Sequence, residues 1–231
     1  MLKLTRLSLA GLLALSLAGA ASAIPLTLTG PIQGNTLGPQ STSNPCIIAG
    51  TQCQQPAAMG FNNYTQSGAI SSYNMFSTTP TANVADGVQG TPYTVAQLAG
   101  LGLSSFVVAI DVNTSGAAGE TLQLFEVIVN GVVAYDYVGP TNIGNIANNG
   151  NGFADWTLGV VDLSGFAPNS TVLFHAVWNN ASAGAESFFL IATTPTPSVP
   201  EASTLQLMLA GTGLLGLGYF IRRRKTATNE Y

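Results

Sequence analysis

One histidine, two cysteines and ten carboxylates are the side chains this 231-residue chain offers for acid–base or metal chemistry near neutral pH. A serine nucleophile needs a base that is itself held by an acid. The sole base is His175, set in the apolar stretch TVLFHAVW, and no G-x-S-x-G elbow precedes a helix. It is expected as a structural histidine on the more polar face of a strand, with Thr171 and Asn179. Glycosidic chemistry needs two positioned carboxylates, and the acids form many formal pairs without singling one out. No catalytic residue is therefore assigned.

Cys46 and Cys53 lie in NPCIIAGTQCQQP, a stretch rich in Pro, Gly, Gln and Asn that reads as a loop. In an oxidising compartment they are expected to pair, closing a short ring worth about 2 to 3 kcal/mol. The spacing is not C-x-x-C and His175 is far away, so neither a redox nor a metal site is assigned. Two further stretches combine backbone freedom with oxygen ligands of the kind hard cations prefer. The first is NNGNGFAD, residues 148–155, with Asn148, Asn151 and Asp155; the second is NNASAGAE, residues 179–186, with Asn179, Asn180 and Glu186. They are candidate glycan or calcium loops, although the first lacks the terminal Glu and alternating acids of an EF-hand. No other cofactor is expected. Trp156, Trp178, Tyr135 and Tyr137 are the aromatics that could stack on a sugar, and packing in a core is the commoner use of such rings.

The charge pattern narrows the partners. All six cations, Lys3, Arg6, Arg222, Arg223, Arg224 and Lys225, sit at the two ends, while residues 24–199 hold eight acids and no Lys or Arg, a formal charge of −8. Nucleic acid is excluded, since neutralising phosphates takes Lys or Arg. Phosphorylated substrates are disfavoured for the same reason. Neutral glycans and cations fit.

These residues must be positioned by strands. Short runs rich in Val, Ile, Phe, Tyr and Thr, separated by Gly, Asn and Ser clusters, predict an all-β sandwich of jelly-roll type. Strands are expected at residues 104–113, 121–130, 132–138, 153–163, 171–179 and 186–192, with a weaker one at 69–76. A short helix should start near Thr94, which has capping-box spacing with Gln97. Asn130-Gly131 supplies a two-residue type I′ turn. Counting outward from it pairs Val129 with Val132, Ile128 with Val133, Val127 with Ala134, Glu126 with Tyr135 and Phe125 with Asp136.

Both ends read as addresses. Lys3 and Arg6 precede an apolar run over residues 7–18 and the small-residue site Ala21-Ser22-Ala23. That is a signal peptide, residues 1–23, cut after Ala23 and used by the Sec export machinery. At the other end, a Thr/Pro linker (195–203) leads to an uncharged segment (204–221) and a basic tail (222–231). Eighteen residues rise about 27 Å as a helix, close to the hydrocarbon thickness, so one transmembrane helix is expected. Arg222, Arg223, Arg224 and Lys225 hold its far side in the cytoplasm. Residues 24–194 are then the outer domain.

Val199-Pro200-Glu201-Ala202-Ser203-Thr204, followed by a Leu/Gly-rich helix and an Arg cluster, resembles the PEP-CTERM sorting signal of Gram-negative bacteria. It departs from the usual pattern at Ala202, where a second Pro is common. The resemblance implies that an exosortase, a transpeptidase-like membrane enzyme, processes the tail. It also implies a protein that passes through the inner membrane to the cell surface or a biofilm matrix rich in exopolysaccharide. The expected function is that of a non-enzymatic surface or matrix protein that binds exopolysaccharide. Two alternatives stand beside it: a secreted glycan-active hydrolase using paired carboxylates, and a purely structural or adhesive surface protein.

Overall fold

The structure is a computed structural model that describes residues 22–49, 53, 62–63, 68–74, 87–113, 119–144, 152–181 and 186–193. Among them the chain forms β1 (Ile24–Pro25), β2 (Cys46–Ala49), β3 (Asn62–Asn63), β4 (Gly68–Tyr73), β5 (Tyr93–Thr94), α1 (Val95–Gly100) and β6 (Ser105–Asp111). The order continues with β7 (Glu120–Val129), β8 (Val132–Ile143), β9 (Trp156–Asp162), β10 (Thr171–Ala181) and β11 (Ser187–Ala192). One sheet runs β1-β8-β7-β10-β4, with β5 also pairing β10; the other runs β3-β2-β11-β6-β9. From β2 onward the strands of four or more residues alternate between the two sheets except for the β7–β8 hairpin, while the two-residue β3 and β5 stay in the sheets of β2 and β4. That wrapping is the jelly-roll arrangement of an all-β sandwich. Both sheets lie in the first of two units of the chain, Met1–Pro195 and Thr196–Tyr231.

The core follows from strand alternation. On β10, Val172, Phe174, Ala176 and Trp178 point inward and are buried, as period-two patterning requires. Phe174 sits among Tyr93, Phe106 and Phe125, with ring centroids 6.1, 6.0 and 6.4 Å away. Phe188 on the opposite sheet stacks on Phe125 at 5.8 Å and meets Trp178 at 5.4 Å. The two sheets are thus joined by interlocking aromatic rings. Helix α1 is six residues long and begins with the expected capping box: the Gln97 amide donates to Thr94 Oγ1 at 3.2 Å, and Gln97 Oε1 accepts from the Thr94 amide at 2.7 Å.

The hairpin turn forms as expected, with φ of 51° at Asn130 and 78° at Gly131. Val129 faces Val132 and Ile128 faces Val133, but the register then shifts. Val127 pairs with Tyr135, Glu126 with Asp136 and Phe125 with Tyr137, because Ala134 is an extra residue on β8. A β-bulge of this kind cannot be counted from a turn outward. Its effect is to turn Tyr135 and Tyr137 into the core and Asp136 out of it.

Strand β8 also runs five residues past its expected end at 138. Gly139-Pro140 looks like a stop, yet these two residues together oppose the single Gln123 of β7. At a bulge, a residue without an amide hydrogen costs no ladder bond. A side chain at Gly139 would strike the Leu122 carbonyl oxygen, so glycine is required there. Cys46 opens β2 and does not lie in a loop: Cys46, Ile47, Ile48 and Ala49 are all fully buried, paired with β11. A four-residue strand flanked by Pro and Gly is too short to stand out by alternation.

Candidate functional site

The strands carry one group of carboxylates to a single end of the β3-β2-β11-β6-β9 sheet. Asp111 closes β6, Ser187 opens β11 opposite it, and Trp156 opens β9 opposite Ile110. Asp155 and Glu186, the acidic ends of the two candidate loops, therefore arrive beside Asp111. All three are buried, with exposures of 8%, 2% and 1% for Asp111, Asp155 and Glu186. The Cys46–Cys53 disulfide, with its Cα atoms 6.1 Å apart, packs against Ala49, Ala109, Ala154 and Phe189 at the same place.

Two of the three carboxylates fasten the chain. Asp111 Oδ2 accepts from Gln40 Nε2 at 3.0 Å and from the Gly152 amide at 2.9 Å. Asp155 Oδ2 accepts from the Val112 amide at 2.8 Å. The Gly152 carbonyl accepts from the Gln40 amide and the Leu37 carbonyl from the Ala154 amide. Gln40 Oε1 lies 3.0 Å from Cys53 Sγ. The segment near residues 37–40 is thereby clipped over Asp111 and the disulfide, and residues 152–155 lie between.

Burial pushes the Asp111 carboxyl up to about 6; the charges of Asp155 and Glu186 add to the rise, while the Gly152 amide and Gln40 oppose it. The folded state therefore holds this proton more tightly than the unfolded chain does. Stability from it is fully present below about pH 4 and is lost as pH rises through about 6, by up to about 3 kcal/mol. We expect Asp111→Asn, which keeps an oxygen acceptor, to match the native protein in urea melts at pH 4. It should exceed native stability by about 1 to 3 kcal/mol at pH 7.5. Equal gains at both pH values would show that the charge of Asp111 is not what costs stability.

Of the other sequence-predicted residues, Asn179 and Asn180 belong to β10, which extends through Ala181. Asn180 is exposed in the left-handed region, at φ 68°. Asn148 and Asn151 lie outside the described residues. Among the described residues no group of three or more His, Cys, Asp or Glu side chains could hold a metal ion. Trp178, Tyr135 and Tyr137 are buried in the core, and the Tyr135 hydroxyl donates to the Asp162 carbonyl at 2.7 Å. The half-buried Trp156 donates from Nε1 to the Gly144 carbonyl at 3.0 Å. None of the four is a freely exposed stacking platform.

Ala21, Val199 to Ala202 and Arg222 to Lys225 also lie outside the described residues, and Ala23 is described in irregular backbone. No helix among the described residues is long and apolar enough to cross a membrane, and residues 204–221 are not among them. The model of the PEP-CTERM protein-sorting motif matches residues 198–225. The chain carries a PEP-CTERM sorting signal. No curated protein and no solved structure matches it. The PEP-CTERM signal indicates export and exosortase-dependent sorting to the cell surface of a Gram-negative bacterium. It contains Val199, Pro200, Glu201 and Ala202 together with the four terminal cations.

Sequence reasoning did not find the partners of His175. The ring is on the outer face of the β1-β8-β7-β10-β4 sheet, opposite in parity to Phe174 and Ala176. Nδ1 is 2.8 Å from Glu126 Oε2 and Nε2 is 3.0 Å from Ser71 Oγ. Tyr73 stacks on the ring at 4.0 Å with a 6° interplanar angle. Glu126 and Ser71 are 49 and 104 positions from His175, so only the pairing of β7 and β4 with β10 reveals them.

Proposed function

We propose that this protein is exported through the Sec pathway, cut after Ala23, and sorted by an exosortase to the cell surface or extracellular matrix. There its outer domain, residues 24–194, binds neutral exopolysaccharide without cleaving the polymer backbone. The carrying observation is the sorting motif at residues 198–225. In this reading residues 204–221 cross the inner membrane transiently, with Arg222, Arg223, Arg224 and Lys225 on the cytoplasmic side.

The absence of Lys and Arg over residues 24–199 supports a neutral ligand. Binding is assigned to the sandwich end that holds Asp155, Glu186 and the end of β10, as loops at one end of a rigid scaffold commonly serve. Asp155 and Glu186 are buried there, so contact is assigned to side-chain amides, those of Asn179 and Asn180 on β10, with Asn148 and Asn151 as the sequence candidates beside them. The hydrolase alternative would draw on Asp111 and Asp155, whose Oδ2 atoms already accept from Gln40, Gly152 and Val112. A glycan array probed with the full-length protein, with and without calcium, tests the assignment. We expect retention on uncharged polysaccharide and a loss of about tenfold or more in affinity for Asn179→Ala/Asn180→Gly, with the melting transition little changed because glycine tolerates the left-handed backbone at 180. Release of reducing sugar from a bound polysaccharide would favour the hydrolase.

A further inference from the structure

The outer face of the β1-β8-β7-β10-β4 sheet holds an acid, an imidazole and a hydroxyl in hydrogen-bonded sequence. Glu126 Oε2 and His175 Nδ1 are 2.8 Å apart, and His175 Nε2 and Ser71 Oγ are 3.0 Å apart. A carboxylate on Nδ1 selects the tautomer that carries its proton there. Nε2 then presents its lone pair to Ser71, which donates. Tyr73, lying flat against the imidazole, holds the ring in the plane that serves both bonds. The His175 and Glu126 side chains keep exposures of 10% and 20%, and Ser71 is half-buried, so both ends of the relay reach the surface while the imidazole between them is more enclosed than the carboxylate. The Ser71 carbonyl accepts from the Gly87 amide at 2.6 Å on the edge of β4 away from β10. Within a strand a residue's N–H and C=O point to the same side, so the Ser71 amide points toward that edge too.

We infer that Ser71, His175 and Glu126 form an acyl-transfer relay that removes ester-linked acyl groups from a neutral carrier, such as an O-acetylated polysaccharide. Three strands far apart in sequence deliver an order of groups that nucleophilic catalysis requires, and the sheet needs none of it for its ladder bonds. In the first step Ser71 Oγ forms a bond to the ester carbonyl carbon and its proton passes to His175 Nε2. The tetrahedral adduct collapses, the bond to the alcohol oxygen breaks, and Nε2 returns the proton to the leaving alcohol. Water, deprotonated by Nε2, then attacks the acyl-Ser71 ester, releasing the carboxylic acid and restoring the hydroxyl. Glu126 keeps its hydrogen bond to His175 Nδ1 throughout and acts as a positioning residue. The lack of Lys and Arg over residues 24–199 argues against anionic acyl groups and for a neutral one. This adds an activity to the domain and leaves the sorting assignment independent of it.

The test uses full-length protein, a fluorophosphonate probe with peptide mass spectrometry, and 4-nitrophenyl acetate as a small neutral ester. Native protein is expected to be labelled at Ser71 and to hydrolyse the ester. Ser71→Ala should abolish labelling at that site and lower hydrolysis about a hundredfold or more, with an unchanged melting transition since Ser71 is half-buried. Glu126→Gln should lower kcat with little change in KM, because the amide no longer fixes the His175 ring by accepting from Nδ1 as a carboxylate does. Rescue of kcat by Glu126→Asp would strengthen the positioning role. Folded native protein that takes no label at Ser71, or ester hydrolysis that Ser71→Ala leaves unchanged, overturns the relay and makes the three residues a structural cross-strand rung.

Discussion

In a host lacking its exosortase, nearly all of this protein is expected to stay full length in the membrane fraction, whereas the intact host should yield a shortened form outside the inner membrane. The uncharged run 204–221 is eighteen residues long, about 27 Å as a helix, enough to hold the chain in a bilayer until something cuts it. Arg222, Arg223, Arg224 and Lys225 resist translocation, since burying even one such charge mid-membrane costs about 2.5 to 3.5 kcal/mol. Release therefore depends on the processing that the PEP-CTERM motif at 198–225 specifies. Immunoblots of fractionated cells check this. Unchanged size and location after the deletion would make the segment a plain anchor and remove the sorting assignment.

Phe174→Ala is expected to destabilise the protein by about 3 to 5 kcal/mol, the range for emptying an aromatic site in a packed core. Phe174 is fully buried and its ring is enclosed by Tyr93, Phe106 and Phe125, each within 6.4 Å. Its backbone is held as firmly: the Phe174 amide donates to Asn74 Oδ1 at 2.6 Å, and its carbonyl accepts from the Asn74 amide at 3.1 Å. With such anchors the site collapses little, which places the loss toward the upper end of the range. Domains of this size are stable by only about 5 to 15 kcal/mol, so a third or more of the total would go. Phe174→Leu, which keeps much of the volume, should cost less than half as much. Urea melts at one pH give both values. A loss under 1 kcal/mol for the alanine variant would show that the ring does not join the two sheets as described.

The sorting signal, the charge desert, the type I′ turn at Asn130-Gly131 and the capping box at Thr94 were all legible in the residues, because each is a local pattern with its own physical cause. A turn needs positive φ at two adjacent positions, a cap needs a hydroxyl three residues before a glutamine, and a topology signal needs cations beside an apolar run. The strands β7, β10 and β11 were legible for the same reason, as runs of β-branched and aromatic residues between Gly, Asn and Ser clusters. Other features depend on what lies across the sheet. The bulges at Ala134 and at Gly139-Pro140 reset the register, and the first of them turned Tyr135 and Tyr137 from sugar-stacking candidates into core. Cys46 reads as loop because its burial comes from β11 and Ala109, 63 and more positions away. Asp155 reads as a solvent-facing ligand until β6 brings the Val112 amide and Asp111 to it. His175 reads as a lone structural base until β7 and β4 set Glu126 and Ser71 against its two nitrogens. Hydrogen bonding and desolvation act over a few ångströms, so pairings between distant positions exist only once the strands are in register.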